Sequence, residues 1–154
     1  MRMEGQMIFR DAAIGDLGAI ARLLADDSLG AARETPGDPA YAKALAAIDA
    51  NPSTCFLVAE LGGVVIGCLQ LDLIPGLARR GTTRAVIDSA RIDSTLRGRG
   101  YGEALVREAI RLARLGGAGL VELSSNHVRK DAHRFYERLG FIGDRLGMKL
   151  VISG

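Results

Sequence analysis

Short apolar runs alternate with amphipathic stretches along most of this chain, and the alternation predicts an α/β domain. Runs of alternating or continuous apolar residues predict strands at 7–10, 54–60, 64–74, 84–92, 120–126 and 148–152. Apolar residues spaced three and four apart predict helices at 16–26, 39–50, 103–115 and 132–139. The predicted order, β-α-α-β-β-β-α-β-α-β, indicates a mixed sheet packed by helices.

Helix-capping and turn residues lie between these segments, in agreement with the periodicity. Asp16 is placed to cap the first helix, and Asp38-Pro39 supplies an N-cap followed by a proline at the first helical position. A Leu61-Gly62-Gly63 turn joins the second and third strands, while 30–38 and 75–81 are predicted loops.

The run Leu-Arg-Gly-Arg-Gly-Tyr-Gly at 96–102 stands between a predicted strand and a predicted helix. Glycines at alternate positions let the backbone turn tightly and approach a ligand closely. N–H groups at the start of the helix favour an anion, and Arg97 and Arg99 add cations suited to phosphate. The run therefore predicts a pyrophosphate cradle, with a glycine-rich surface turn as the alternative.

Two familiar phosphate loops do not match this run. A Walker loop needs Gly-Lys followed by Ser or Thr, and a dinucleotide fingerprint needs G-x-G-x-x-G early in the chain. The run instead resembles the R-x-x-G-x-G turn of the GNAT superfamily, the Gcn5-related N-acetyltransferases, through Arg97, Gly100 and Gly102. The late segment is similar too, because 120–126 ends in Asn and 131–141 carries Ala, a Phe-Tyr pair and a closing Gly-Phe.

This resemblance implies the GNAT fold, an α/β (α+β) mixed sheet of about six to seven strands flanked by about four helices. Acetyl-CoA would bind between splayed strands, and the enzyme would move an acetyl group from CoA to a primary amine of a small molecule by direct attack. The cofactor-binding residues implied are Ile92, Arg97, Gly98, Arg99, Gly100, Tyr101, Gly102 and Asn126. For Asn126 a helix N-cap or turn role is the alternative.

Three residues are candidates for the chemistry. The resemblance places the Ile92 N–H against the acetyl carbonyl, an oxyanion-hole role, although the Ile92 side chain also suits sheet core. It places Asp88 where many relatives carry a basic Glu, and strand alternation predicts that Asp88 and Ile92 share a face. Because Asp is one methylene shorter than Glu, relay through water is expected, and an ion pair with Arg84 or another basic side chain is the alternative.

Tyr136 matches the family's helix tyrosine, whose phenol commonly protonates the departing CoA sulfur. A phenol with a pKa near 10 is reasonably matched to a thiol with a pKa near 8.5. Without the resemblance, Phe135 and Tyr136 on an amphipathic helix would suggest core packing.

Composition limits the function further. The chain has 154 residues, of which 48% are apolar, so we expect one domain at 1–154 with 1–6 as a disordered extension. No segment resembles a signal peptide or membrane span, which makes a cytoplasmic location the default. A net charge of +2 argues against nucleic-acid binding. Two cysteines predict buried thiols, and two histidines give no metal cluster.

The acyl acceptor is the least constrained part of the sequence. Asp26, Asp27 and Glu34 are placed to attract an ammonium group, or they are solvated helix ends. The late segment is also similar to aminoalkylphosphonate N-acetyltransferases, whose phosphonate would need cations, and Arg79, Arg80 and Arg84 are available. A protein or peptide N-acetyltransferase and a non-catalytic acyl-CoA-binding module are the alternative functions. Homodimers are frequent in the superfamily, and the sequence leaves this open.

Overall fold

A computed structural model describes residues 6–125 and 130–153 of the chain. The strands described are β1 Met7–Asp11, β2 Thr54–Leu61, β3 Val64–Ile74, β4 Arg84–Ile92 and β5 Leu120–Leu123. The α-helices described are α1 Leu17–Ala25, α2 Ser28–Arg33, α3 Ala40–Asp49, α4 Ala78–Gly81, α5 Tyr101–Leu115 and α6 Lys130–Arg138. The chain divides into two compact units, Met1–Glu122 and Leu123–Gly154.

Among the described residues, five strands form one sheet in the order β1-β2-β3-β4-β5. The first four pair antiparallel with their sequence neighbours, and β5 lies beside β4 after the α5 crossover. The predicted fold class is confirmed, and the four predicted helices lie close to their predicted bounds as α1, α3, α5 and α6. Residues 1–5 of the predicted extension lie outside the described residues.

The predicted strand at 148–152 is wrong, which is why the sheet has fewer strands than expected. The described chain from 141 to 153 contains neither helix nor strand. Its apolar side chains are exposed, with Met148 at 89% and Ile152 at 94%. A strand depends on pairing with a neighbour as well as on apolar residues, and the local sequence does not encode that pairing.

The sequence predicts a loop at 30–38, whereas the structure has the short helix α2 at its start. Asp27 caps α2, and its Oδ1 accepts the Gly30 N–H at 2.6 Å. A Cβ added at Gly30 would lie 1.8 Å from the Leu24 carbonyl oxygen, so only glycine lets α2 start this close to the end of α1.

The first unit has a core on each face of the sheet. On one face, α1 and α3 pack over strand residues in a cluster of buried side chains: Ala12, Ile20, Leu23, Leu45, Val58 and Cys68. On the other face, α5 packs over the alternate residues of β3. A Cβ added at Gly116 would lie 2.4 Å from Leu73 Cδ1, and one added at Gly67 would lie 3.5 Å from Leu105 Cδ2.

Asp16 connects β1 to the start of α1 through a partly buried ion pair with Arg10. Its carboxylate accepts hydrogen bonds from Arg10 Nη1 at 2.7 Å, Arg10 Nη2 at 2.8 Å and the Ala13 N–H at 2.7 Å. The hydrogen bond from Arg10 is the main cause that lowers the pKa of Asp16 below its ordinary value. Arg10 also binds Glu60 on β2, so a single guanidinium links three elements of the first unit.

We expect Asp16 to make folding acid-sensitive. A carboxyl group whose pKa is lower in the folded chain stabilises the fold above its ordinary pKa of about 3.9. That contribution is lost as the pH falls through the lower folded pKa. Asp16→Asn should therefore lower the free energy of unfolding at pH 7 and flatten its decline between about pH 5 and pH 2. Urea denaturation at a series of pH values measures both effects. The exposed Asp49→Asn serves as the control, and an identical acid dependence for both variants would contradict the assignment.

Candidate active site

The glycine–arginine run forms a tight connection between the end of β4 and the start of α5. A short 3-10 helix, Ser94–Leu96, follows Asp93, whose carboxylate accepts the Thr95 N–H at 2.9 Å and the Thr95 hydroxyl at 2.7 Å. These hydrogen bonds lower the pKa of Asp93. Gly98 and Gly100 then adopt φ values of 78° and 87°, in the left-handed region that favours glycine.

This connection presents backbone donors and open space together. The first turn of α5 is closed by the Ala104 N–H bonding to the Gly100 carbonyl at 3.1 Å, so the N–H groups of Tyr101 and Gly102 precede the hydrogen-bond ladder of the helix. A Cβ added at Gly98 or Gly100 would meet no heavy atom of the described chain within 4 Å. The donors and the space are compatible with a pyrophosphate group, and the cradle stays a prediction.

The side chains at this connection agree with that interpretation. Arg97 and Arg99 are exposed. α5 is 15 residues long, which gives its N-terminus a full helix dipole. The residues of the predicted cradle, 97–102, are thus one continuous turn at the N-terminus of the longest described helix.

Ile92, the last residue of β4, directs its backbone N–H away from β3. The next residue, Asp93, donates its N–H to the Ile66 carbonyl of β3 at 2.8 Å. Because successive N–H groups of an extended strand point to opposite sides, the Ile92 N–H points to the side where β5 lies. Its side chain lies on the α5 face, where a Cβ at Gly67 would be 2.6 Å from Ile92 Cδ1. Sequence reasoning missed this supporting role of Gly67.

A β-bulge in β4 overturns the predicted placement of Asp88 on the same face as Ile92. Asp88 pairs with Gln70, whereas Arg91 pairs with Cys68, so β4 has one residue more than β3 between these pairs. Ser89, within the bulge, has a φ of 56°, which is rare for a residue other than glycine. Because Gln70 and Cys68 share a face, Asp88 shares its face with Arg91, opposite the Ile92 side chain.

We call this side of β3 and β4 the polar face, and it comprises Gln70, Asp72, Asp88 and Arg91. It continues the face on which α1 packs over Cys68. The Gln70 amide lies 3.3 Å from both carboxylate oxygens of Asp72, and Asp88 is exposed. The charges on this face are mostly acidic, which suits the approach of an ammonium group.

A hydrogen bond and an ion pair connect the corner between α1 and α2 to the end of β4 and the turn after it. Asp26 Oδ2 accepts the Ser94 N–H at 3.2 Å, and Asp27 Oδ2 lies 3.9 Å from Arg91 Nε. Glu34, the third acidic candidate, accepts instead from the Tyr41 hydroxyl at 3.0 Å. Arg84, proposed in the sequence as an alternative partner for Asp88, binds Glu122 on β5 at 2.8 Å.

Tyr136 lies in the second unit, on α6, in an aromatic cluster. Its ring centroid is 5.1 Å from that of Phe135 and 5.7 Å from that of Phe141, both in edge-to-face geometry. The predicted closing Gly-Phe is confirmed, because Gly140 has a φ of 99° and the Phe141 N–H bonds back to the Tyr136 carbonyl at 3.1 Å. The motif residues 135–141 therefore fix the position of the phenol ring within this unit.

One candidate falls outside the described residues. Asn126 lies among residues 126–129, which the structure does not describe. Within the described residues, no group of three or more His, Cys, Asp or Glu side chains is placed to hold a metal ion. None of the helices described has the length and apolar composition needed to cross a bilayer.

Comparison with known proteins agrees with this geometry. Residues 19–141 match the model of the acetyltransferase (GNAT) family. The N-acetylaspartate synthetase of Danio rerio is 34% identical over 88 residues, which are 57% of this chain and 29% of that protein. The human N-alpha-acetyltransferase 30 is 32% identical over 105 residues, 67% of this chain and 28% of that protein. The chain thus spans less than a third of the length of these curated relatives.

A solved structure extends the similarity to nearly the whole chain. A protein described as a transcriptional regulator from Bacillus halodurans C-125 superimposes with a TM-score of 0.91 at 37% identity, covering 96% of this chain and 100% of that one. The chain belongs to the GNAT family of N-acetyltransferases.

Proposed function

We propose that the protein transfers the acetyl group of acetyl-CoA to a primary amine of a small molecule by direct attack. The position of the α1–α2 corner supports a small acceptor. In this corner Asp26 Oδ2 accepts a hydrogen bond at 3.2 Å from the Ser94 N–H, in the turn after β4. A corner held at this end of the polar face favours a compact amine beside Asp88 over an extended peptide. The relative named for N-acetylaspartate supports the same choice.

In this proposal the cradle binds the donor. The N–H groups of Gly98 to Gly102 bind the pyrophosphate, assisted by Arg97 and Arg99. When bound, acetyl-CoA supplies an activated acetyl group as a thioester. The Ile92 N–H, directed away from β3, donates to the acetyl oxygen and stabilises the negative charge that develops there. Asn126 contributes a hydrogen bond to the pantetheine arm, as the family resemblance implies.

Two side chains move protons. An alkylamine with a pKa of about 10.4 is mostly protonated at neutral pH, so a base must remove a proton before attack. Asp88, exposed on the polar face, accepts that proton through a water molecule. Tyr136 donates its phenol proton to the departing sulfur. These assignments use the resemblance for the roles and the structure for the surroundings of each residue.

Direct attack is favoured because both cysteines are poor nucleophiles. Cys68 is fully buried in the core cluster, and burial raises the pKa of its thiol to about 12. Burial also raises the pKa of Cys55, on β2. Since the thiolate is the reactive form, neither cysteine is suited to carry the acetyl group at neutral pH.

An acceptor panel tests the proposal. Thiol release from acetyl-CoA should be followed with polyamines, aminoglycosides, amino acids, aminoalkylphosphonates and short peptides with Lys or a free N-terminus. Turnover with one class of small amine is expected. Turnover with peptides alone would contradict the small acceptor and favour the activity for which N-alpha-acetyltransferase 30 is named. Tight acetyl-CoA binding without turnover would instead favour a binding module.

The aminoalkylphosphonates in the panel test the finer resemblance of the late segment. The three arginines that the sequence suggested for binding a phosphonate lie in different surroundings from one another. Arg84 is paired with Glu122, whereas Arg79 and Arg80 lie in the left-handed turn of α4, at φ values of 53° and 59°. We therefore expect aminoalkylphosphonates to be poorer acceptors than amines recognised on the polar face.

A further inference from the structure

Arg91 is a mostly buried cation on the polar face, and the predicted cradle gives it no role. It lies on β4 beside Ile92, with its side chain 16% exposed. Sequence reasoning assigned it no role, although a charged residue inside an apolar strand is itself an unusual signal.

The hydrogen bonding of the Arg91 guanidinium is incomplete within the described chain. Nη1 donates to the Ala90 carbonyl at 3.0 Å. Nε is buried and has no hydrogen-bond partner among the described residues. Nε forms a long ion pair with Asp27 Oδ2 at 3.9 Å, a distance too great for a hydrogen bond. Asp27 is itself anchored as the cap of α2, because its Oδ1 accepts the Gly30 N–H at 2.6 Å.

Arg10 shows how an arginine with a structural role is satisfied in the same unit. Its guanidinium makes hydrogen bonds to Asp16 at 2.7 and 2.8 Å and to Glu60 at 2.7 Å. A buried donor without a partner is costly, and such exceptions in native proteins call for an explanation. A carboxylate is the natural partner for the forked donors of a guanidinium.

The groups around Arg91 define what such a partner looks like. Asp27 approaches from the α1–α2 corner, Cys68 faces it from β3, and Asp88 and Asp72 lie on the same face. A cation flanked by carboxylates is complementary to a molecule that carries an anion and an ammonium group close together. An amine without an anionic group would leave the Arg91 donors unsatisfied. An anion without an ammonium group would be repelled by the surrounding carboxylates.

We propose that Arg91 determines acceptor specificity by binding a carboxylate of the acceptor, so that the substrate class is amino acids. This inference rests on the proposed transfer to a small amine and names the kind of amine. The carboxylate binds the guanidinium of Arg91 while the amine lies toward Asp88, which takes its proton. Arg91 thereby positions the acceptor nitrogen near the Ile92 N–H at the end of the same strand.

Matched acceptors that differ only in the anion test this proposal. Initial rates are measured with alanine against ethylamine, with lysine against cadaverine, and with glycine against methylamine and aminomethylphosphonate. The variants are Arg91→Gln, Arg91→Lys, which keeps the charge but loses the fork, and the surface control Arg111→Gln. Thermal unfolding of each variant, with and without CoA, checks that it folds and binds the donor.

The wild type is expected to favour the amino acid over its decarboxylated partner. Arg91→Gln should reduce that preference roughly 30- to 1,000-fold, mainly through KM of the amino acid. Arg91→Lys should give an intermediate preference, and Arg111→Gln should retain the wild-type value.

Three results would overturn the assignment. Equal wild-type turnover of both members of each pair would reject the carboxylate while leaving small-amine transfer intact, and this holds even if Arg91→Gln does not fold. A preference for aminomethylphosphonate over glycine would reject a carboxylate as the anion. Turnover of peptides alone would reject the small acceptor itself, and this inference with it.

Discussion

Tyr136→Phe is expected to lower the turnover number by about 10- to 1,000-fold while leaving the Kd for CoA nearly unchanged. The substitution removes the phenol proton that the proposal delivers to the departing sulfur. It keeps the ring that packs 5.1 Å from Phe135 and 5.7 Å from Phe141, so the end of α6 should remain folded. The loss should appear in kcat, because the proton is needed as the thiolate departs.

Steady-state rates and calorimetric titration with CoA measure the two quantities. Tyr41→Phe is the matched control, since it also removes one hydroxyl, from a tyrosine on α3 that bonds Glu34 and the Thr35 N–H. Its turnover should equal that of the wild type. If Tyr136→Phe turned over at the wild-type rate, Tyr136 would not be the proton donor. If it lost CoA binding in proportion to turnover, its role would be in binding.

Gly100→Ala is expected to raise the Kd for CoA by about 10- to 100-fold, which corresponds to roughly 1.4 to 2.7 kcal/mol. Gly100 has a φ of 87°, and an added Cβ meets no heavy atom of the described chain within 4 Å. Nothing in the described chain therefore obstructs a methyl group there. We expect the obstruction to come from the pyrophosphate, whose donors lie on the following residues.

Gly117→Ala separates that obstruction from backbone strain. Gly117 lies just past the other end of α5, with a φ of 82° and the same open space around an added Cβ. Both substitutions should lower the free energy of unfolding by about 1 to 3 kcal/mol. Only Gly100→Ala should weaken CoA binding. Equal losses of affinity in both variants would mean that strain in α5, and not the cradle, controls binding.

The connection between β4 and α5 could be predicted from the sequence because its requirements are local. A strand that ends at Ile92, glycines in the left-handed region and an amphipathic helix are each encoded by neighbouring residues, and the structure has them in that order. The end of α6 was predicted for the same reason, because Gly140 and Phe141 are adjacent to the helix that they close.

Features that depend on pairing between distant segments were not predictable in this way. The bulge at Ser89 is visible only when β4 is aligned with β3, and it moves Asp88 to the face opposite the Ile92 side chain. In the sequence, Gly30 indicates a loop. In the structure, glycine is required there because the Leu24 carbonyl oxygen occupies the place of a Cβ. Strand alternation and glycine content are properties of a single segment. The bulge at Ser89 and the start of α2 depend instead on segments that pack beside them.

The importance of Arg91 became visible for a related reason. In the sequence it is one of many arginines near a glycine–arginine motif, and the motif itself indicates only Arg97 and Arg99. Only the structure places Arg91 beneath the α1–α2 corner with a buried Nε. The polar face is assembled from β3, β4 and this corner, which are far apart in the chain.

Direct acetyl transfer from acetyl-CoA to a small amine can be tested by mass spectrometry of a single reaction. The protein is incubated with acetyl-CoA labelled in the acetyl group and with the best acceptor, and the label, the free CoA and the intact protein are measured. We expect one labelled N-acetyl amine for each CoA released, with no label on the protein. Label retained on the protein, or CoA release without an acetylated small amine, would contradict it.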